Sequence, residues 1–99
     1  MNHQYHHLLV FVEGPSTGKT FALEGDEIFI GREPSNTLQI DSPGVSRKHA
    51  RLNLKNQQHW LEDLGSSNGT FINGERISDP RPLQNGDFIG AASQSWISA

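Results

Sequence analysis

Arg32, Ser46 and Asn68 carry side chains suited to holding a discrete anion and its surroundings: a cation, a hydroxyl donor and an amide. Arg32 follows Gly31, and its guanidinium can present a planar fork to two oxygens of one group while the glycine lets the backbone turn. Ser46 opens the run Ser46-Arg47-Lys48-His49, a compact hydroxyl donor with two cations beside it. Ser67 and Asn68 sit inside Gly65-Ser66-Ser67-Asn68-Gly69-Thr70, and the Asn68 amide donates and accepts at once, as gripping an extended backbone requires. A phosphate monoester carries about −1.5 to −2 charges near neutral pH and three acceptor oxygens, so its receptor needs a fixed cation and several oriented donors. These motifs are far apart in sequence, so any shared site must be assembled by folding.

The charge pattern points the same way. Eleven acidic and eight basic side chains among 99 residues give a formal charge of −3. A protein that binds nucleic acid by neutralising phosphates is usually basic. Five of the cations, Arg32, Arg47, Lys48, Arg51 and Lys55, nevertheless fall in one short stretch, leaving Lys19, Arg76 and Arg81 elsewhere. A local cationic site on a mildly acidic body suits a discrete anion better than a polyanion.

The elements that position these residues read as strands. Apolar runs are short, rich in β-branched and aromatic residues, and punctuated by Gly, Pro, Asn and Asp, which is the pattern of an all-β sandwich. Leu8 to Val12 and Thr20 to Leu23 form an expected hairpin closed by the Gly14 to Gly18 turn. Glu27 to Ile30, Leu38 to Ile40 and Ala50 to Leu54 follow, the last alternating so that Ala50, Leu52 and Leu54 share one face. Trp60 to Leu64 is the next strand. Asn73-Gly74 between Thr70-Phe71-Ile72 and Glu75-Arg76-Ile77 predicts a type I′ hairpin. Pro80 and Pro82 confine their segment to a connection or an edge strand, and Phe88-Ile89 and Ser95-Trp96-Ile97 complete the set. The expectation is a β-sandwich of roughly ten or eleven short, mostly antiparallel strands in a single domain over residues 1–99, with residues 1–6 a frayed lead-in. The polar end of the chain leaves the pairing of its last strand open.

The absence of cysteine leaves stability to the core and fits a reducing compartment. No basic start with a long apolar run and no 18-residue apolar stretch occurs, so the chain is read as a soluble cytoplasmic protein, or a soluble module, without a membrane partner.

Between about Gly31 and Gly90 the ordered motifs Gly31-Arg32, Ser46-Arg47-Lys48-His49, Gly65 to Thr70 and Asn85-Gly86-Asp87 resemble a forkhead-associated (FHA) domain. That resemblance implies a phosphopeptide-binding signalling module without catalytic activity or cofactor, whose partner is a phosphothreonine-containing protein made by a Ser/Thr kinase. It implies that Arg32 and Ser46 contact the phosphate, that Ser67 touches the phosphate or the phosphothreonine backbone, that Asn68 binds the peptide main chain and that Arg47 flanks either. Gly31, His49, Gly69 and Thr70 become supports, with the His49 ring holding the loop that presents Ser46, while Asp63 and Asp87 satisfy turn amides. Gly44 stands where some family members carry a basic residue that selects an acidic peptide residue.

Other chemistries fit less well. Gly14-Pro15-Ser16-Thr17-Gly18-Lys19-Thr20 has one residue too few between its glycines for a nucleotide-binding loop, and no helix follows. Ser46, His49 and one of Asp41, Asp63 or Asp87 could be drawn as a hydrolase triad, yet no nucleophile elbow surrounds Ser46. His3, His6 and His7 lack the cysteines or carboxylates that would complete a metal site, and His59 is read as a surface residue, with Trp60 and Trp96 as core or rim packing. Two alternatives of another kind are phosphate-independent scaffolding through the sandwich faces and nucleic-acid binding through Arg47, Lys48, Arg51 and Lys55. Arg51, Asn53 and Lys55 share one strand face, so a solvated surface accounts for them more simply.

Overall fold

A computed structural model describes residues 8–12, 17–91 and 94–98. The N-terminal histidines and the Gly14-Pro15-Ser16 segment lie outside these residues, as does the Trp96 side chain. The chain forms the expected all-β sandwich. Its strands are β1 (Leu8–Phe11), β2 (Thr20–Ala22), β3 (Glu27–Gly31), β4 (Leu38–Gln39), β5 (Ala50–Lys55), β6 (Gln58–Asp63), β7 (Phe71–Ile72), β8 (Glu75–Arg76), β9 (Arg81–Pro82), β10 (Phe88–Ala91) and β11 (Gln94–Ser98). One sheet has the order β2-β1-β11-β10-β7-β8 and the other β4-β3-β5-β6-β9. Every pair described is antiparallel except β3 with β4.

Alternation along the strands sends one side of each sheet into a shared core. Leu9, Ile89 and Ile97 from the first sheet and Ile28, Leu52 and Leu61 from the second are fully buried. Burying an aliphatic side chain of this size contributes about 1.5–3 kcal/mol, and with no disulfide available this core carries the stability. The last strand owes its place to this core: despite polar neighbours, Ile97 pairs with Phe11 on one side and Ile89 on the other, making β11 an interior strand.

Two expectations are corrected. The fifth and sixth strands are longer, because Asn56 and Gln57 both adopt positive φ, 50° and 66°, and form a two-residue hairpin turn. That turn starts β6 at Gln58, and the resulting alternation turns His59 inward with Leu61. His59 is therefore 7% exposed and not a surface residue. The Asn73-Gly74 turn forms as expected, with φ of 52° and 83°.

The register explains where the loops meet. Ile30 at the end of β3 pairs with Ala50 at the start of β5, and Ala50 pairs with Asp63 at the end of β6. Three strand ends thus lie side by side, and the loops leaving β3, entering β5 and leaving β6 emerge from one end of the sandwich.

Candidate functional site

The loop entering β5 is fastened to the end of β3 through its backbone. The Arg32 N–H donates to the Ser46 carbonyl at 3.0 Å, and the Glu33 N–H donates to that of Arg47 at 3.3 Å. Gly31 is required here by proximity rather than by its torsion. A Cβ at this position would stand 2.2 Å from the Arg47 carbonyl oxygen and 2.7 Å from the Asn36 amide nitrogen. Asn36, buried in the turn after Arg32, donates to the carbonyls of Glu33 (2.9 Å) and Arg47 (2.7 Å). Sequence reasoning missed Asn36. Its only signal was membership of the turn-forming Pro34-Ser35-Asn36 run.

Beneath the loop lies His49, fully buried. The Ser46 N–H donates to its Nδ1 at 3.0 Å, so that nitrogen carries no proton and Nε2–H donates to the Gly69 carbonyl at 2.9 Å. Burial lowers the imidazole pKa, outweighing the opposing pull of the Gly69 bond and the Asp63 charge. One neutral ring thereby joins the loop of Ser46 to the loop of Asn68.

The loop leaving β6 is wound around Asp63. Its carboxylate accepts from the backbone N–H groups of Gly65 (3.0 Å) and Ser66 (3.2 Å), from the Ser66 hydroxyl and from the Thr70 hydroxyl (2.7 Å). Desolvation raises the Asp63 pKa, but these four bonds together exceed it and hold the group below its ordinary value. Gly69 then takes φ of +86°, and a Cβ there would meet Arg76 at 2.8 Å and Phe71 at 3.2 Å.

Two further bonds close the assembly. The Ser67 N–H donates to the Ser46 hydroxyl oxygen at 3.1 Å, and the Asn68 amide donates to the Gly44 carbonyl at 3.0 Å. Ser46 retains its own hydroxyl proton, and Asn68 retains a second N–H and its Oδ1. Arg32, Ser46, Ser67 and Asn68, drawn from three loops, are therefore brought together, with Gly31, His49, Gly69 and Thr70 beneath or between them. Arg47 contributes its carbonyl to the frame while its side chain is exposed. The Arg32 guanidinium is also exposed and has no partner among the described residues.

Asp87 belongs to a different frame. It accepts from the Gln84 N–H and the Asn73 amide, tying the turn before β10 to the β7–β8 hairpin. The imagined triad does not form, since both His49 nitrogens are engaged by backbone groups and neither meets the Ser46 hydroxyl. The basic stretch is also divided: Arg51 bonds Glu27 at 2.8 Å and Glu62 at 2.7 Å, and Lys48 lies 5.6 Å from the centre of the Phe29 ring.

A family model described as the FHA domain matches residues 28–91. The chain belongs to the FHA family. FHA domains are recognition modules, not catalysts, and in general they bind phosphothreonine peptides. The glycogen accumulation regulator GarA of Mycobacterium tuberculosis is 40% identical over 82 residues, covering 83% of this chain and 50% of the relative. An oxoglutarate dehydrogenase inhibitor of Corynebacterium jeikeium is 38% identical over 82 residues, covering 83% and 56%. The chain thus spans about half the length of these relatives. An FHA domain solved in work on phosphothreonine-dependent FHA interactions superposes with a TM-score of 0.80 at 31% identity, over 92% of this chain and 91% of that one. The solution structure of an Arabidopsis thaliana FHA domain gives 0.83 at 29% identity, over 99% and 91%.

Proposed function

We propose that this FHA domain binds a phosphothreonine segment of a protein partner across the loops that carry Arg32, Ser46, Ser67 and Asn68. One observation carries the reading: the Ser67 N–H fixes the Ser46 hydroxyl beside the backbone of Arg32, whose guanidinium has no partner among the described residues. A cation on an anchored backbone and a preset hydroxyl donor suit a doubly charged phosphate, and the prior ordering of the Ser46 hydroxyl reduces the entropy lost on binding. Asn68, anchored by one N–H to Gly44, has its remaining donor and acceptor to offer a peptide main chain.

The partner in this reading is a protein phosphorylated by a Ser/Thr kinase, in the cytoplasm. Nucleic-acid binding is disfavoured by the engagement of Arg51 with two carboxylates, which removes the middle of the basic stretch. The test is a phosphothreonine peptide library screened against the purified domain beside its unphosphorylated duplicate. Enrichment confined to the phosphorylated library is expected. Equal retention of both would favour phosphate-independent scaffolding.

A further inference from the structure

The five arginines divide into two groups. Arg51 is held by Glu27 and Glu62, and Arg81 faces Glu75 at 3.4 Å. Arg32, Arg47 and Arg76 are exposed, and their side chains have no hydrogen bond or ion pair among the described residues. Arg32 and Arg47 belong to the loops described above. Arg76 comes from β8 in the other sheet, and no motif marks it.

Arg76 nevertheless reaches the same end of the molecule. A Cβ on Gly69 would stand 2.8 Å from Arg76 Nε and 3.1 Å from Cζ, so the guanidinium lies along the backbone of the residue that follows Asn68. Its sequence neighbour Glu75 bonds Arg81, and successive strand residues point to opposite faces, so Glu75 does not neutralise it. Asp63 is occupied by four donors and Glu62 by Arg51, so neither of these carboxylates is free to neutralise Arg76. An unpaired arginine pressed against the recognition loop has no carboxylate to surrender before meeting one from outside.

We propose that Arg76 is a specificity-determining residue that meets an acidic side chain of the ligand two to four positions from the phosphothreonine. This rests on the phosphopeptide reading. Ser67 and Gly69 are two residues apart, which places their Cα atoms within about 7 Å. An extended ligand advances about 3.3 Å per residue, so two steps span that distance, and the length of the two side chains extends the reach to four. Gly44, whose carbonyl holds the Asn68 amide, presents no side chain and so no charge there, and the preference is assigned to Arg76, which lies along Gly69.

The experiment uses the whole chain and phosphothreonine peptides that differ by Asp or Ala at one position, scanned from four before to four after the phosphorylated residue, at low ionic strength. One position should show Asp binding two- to fivefold tighter than Ala, the range of an exposed ion pair. The ratio should fall to one in Arg76→Gln, which keeps the stem against Gly69, persist in Arg76→Lys and reverse in Arg76→Glu. A merely structural role would change affinity for both peptides alike and leave the ratio intact. A flat scan in the wild type, or a preference that survives Arg76→Gln, overturns the assignment of Arg76 while phosphate dependence persists. Equal affinity for phosphorylated and unphosphorylated peptides overturns the phosphopeptide reading and this inference with it.

Discussion

The Ser46 hydroxyl accepts a hydrogen bond from the Ser67 N–H, joining two loops whose residues are 21 positions apart. The bond sets the hydroxyl in place with its proton still available. Binding a phosphate then requires no search among rotamers, which lowers the ordering cost of the complex.

Ser46→Ala should therefore weaken phosphopeptide binding without unfolding the domain. A hydrogen bond to a charged group is worth about 1.5–3 kcal/mol, so the loss is about tenfold or more in Kd. Stability should change by only about 1 kcal/mol, since the stranded Ser67 N–H lies at the exposed surface. Titration calorimetry and thermal melting on the same variant separate the two effects.

His49 should control both stability and its pH dependence. His49→Ala leaves the Ser46 N–H and the Gly69 carbonyl without their partners and opens a cavity, at about 2–4 kcal/mol. A domain of this size loses about 4–8 °C in Tm per kcal/mol, which thermal melting resolves easily.

Because the folded state holds His49 neutral with a lowered pKa, the unfolded chain binds the proton more readily. The stabilisation is complete above the unfolded value of about 6.5 and is lost as pH falls from there through the folded value. Asp63, also lowered, gives a second loss at more acidic pH, beginning near its ordinary range of about 3.9. Melting wild type and His49→Asn between pH 8 and 5 should show a steeper decline in the wild type.

Much of this was legible in the sequence because local chemistry and global architecture agree. The Asn73-Gly74 turn and the short alternating strands each have one physical reading, and the structure follows it, whereas Gly31, read as a residue that lets the backbone turn, is required instead by the close approach of Arg47 and Asn36. The Asn56-Gln57 turn was not legible, since glutamine rarely takes positive φ and gives no signal. The inward turn of His59 was lost with it. Asn36 and Arg76 were hidden for another reason. Their importance lies in contacts across loops, to Arg47 and Gly69, which no spacing along the chain announces.

Gly31→Ala tests the close approach at the end of β3. Its methyl would meet the Arg47 carbonyl oxygen and the Asn36 amide, both within 3 Å of the new atom. The loop must shift, at about 1–3 kcal/mol for an overpacked site. A lower Tm accompanied by weaker phosphopeptide binding is expected, and a variant that melts and binds like the wild type would show that the loop yields freely.

The central claim is that Arg32 supplies the cation for a phosphate, and calorimetric titration of wild type, Arg32→Lys and Arg32→Ala with one phosphothreonine peptide and its unphosphorylated twin tests it most directly. Two charge-assisted hydrogen bonds of about 1.5–3 kcal/mol each predict a loss of a hundredfold or more in Arg32→Ala. Arg32→Lys should recover only part of it, because an ammonium keeps the charge without the planar fork. The unphosphorylated peptide should bind all three weakly and alike. Equal affinity of the three proteins for the phosphorylated peptide would contradict the account.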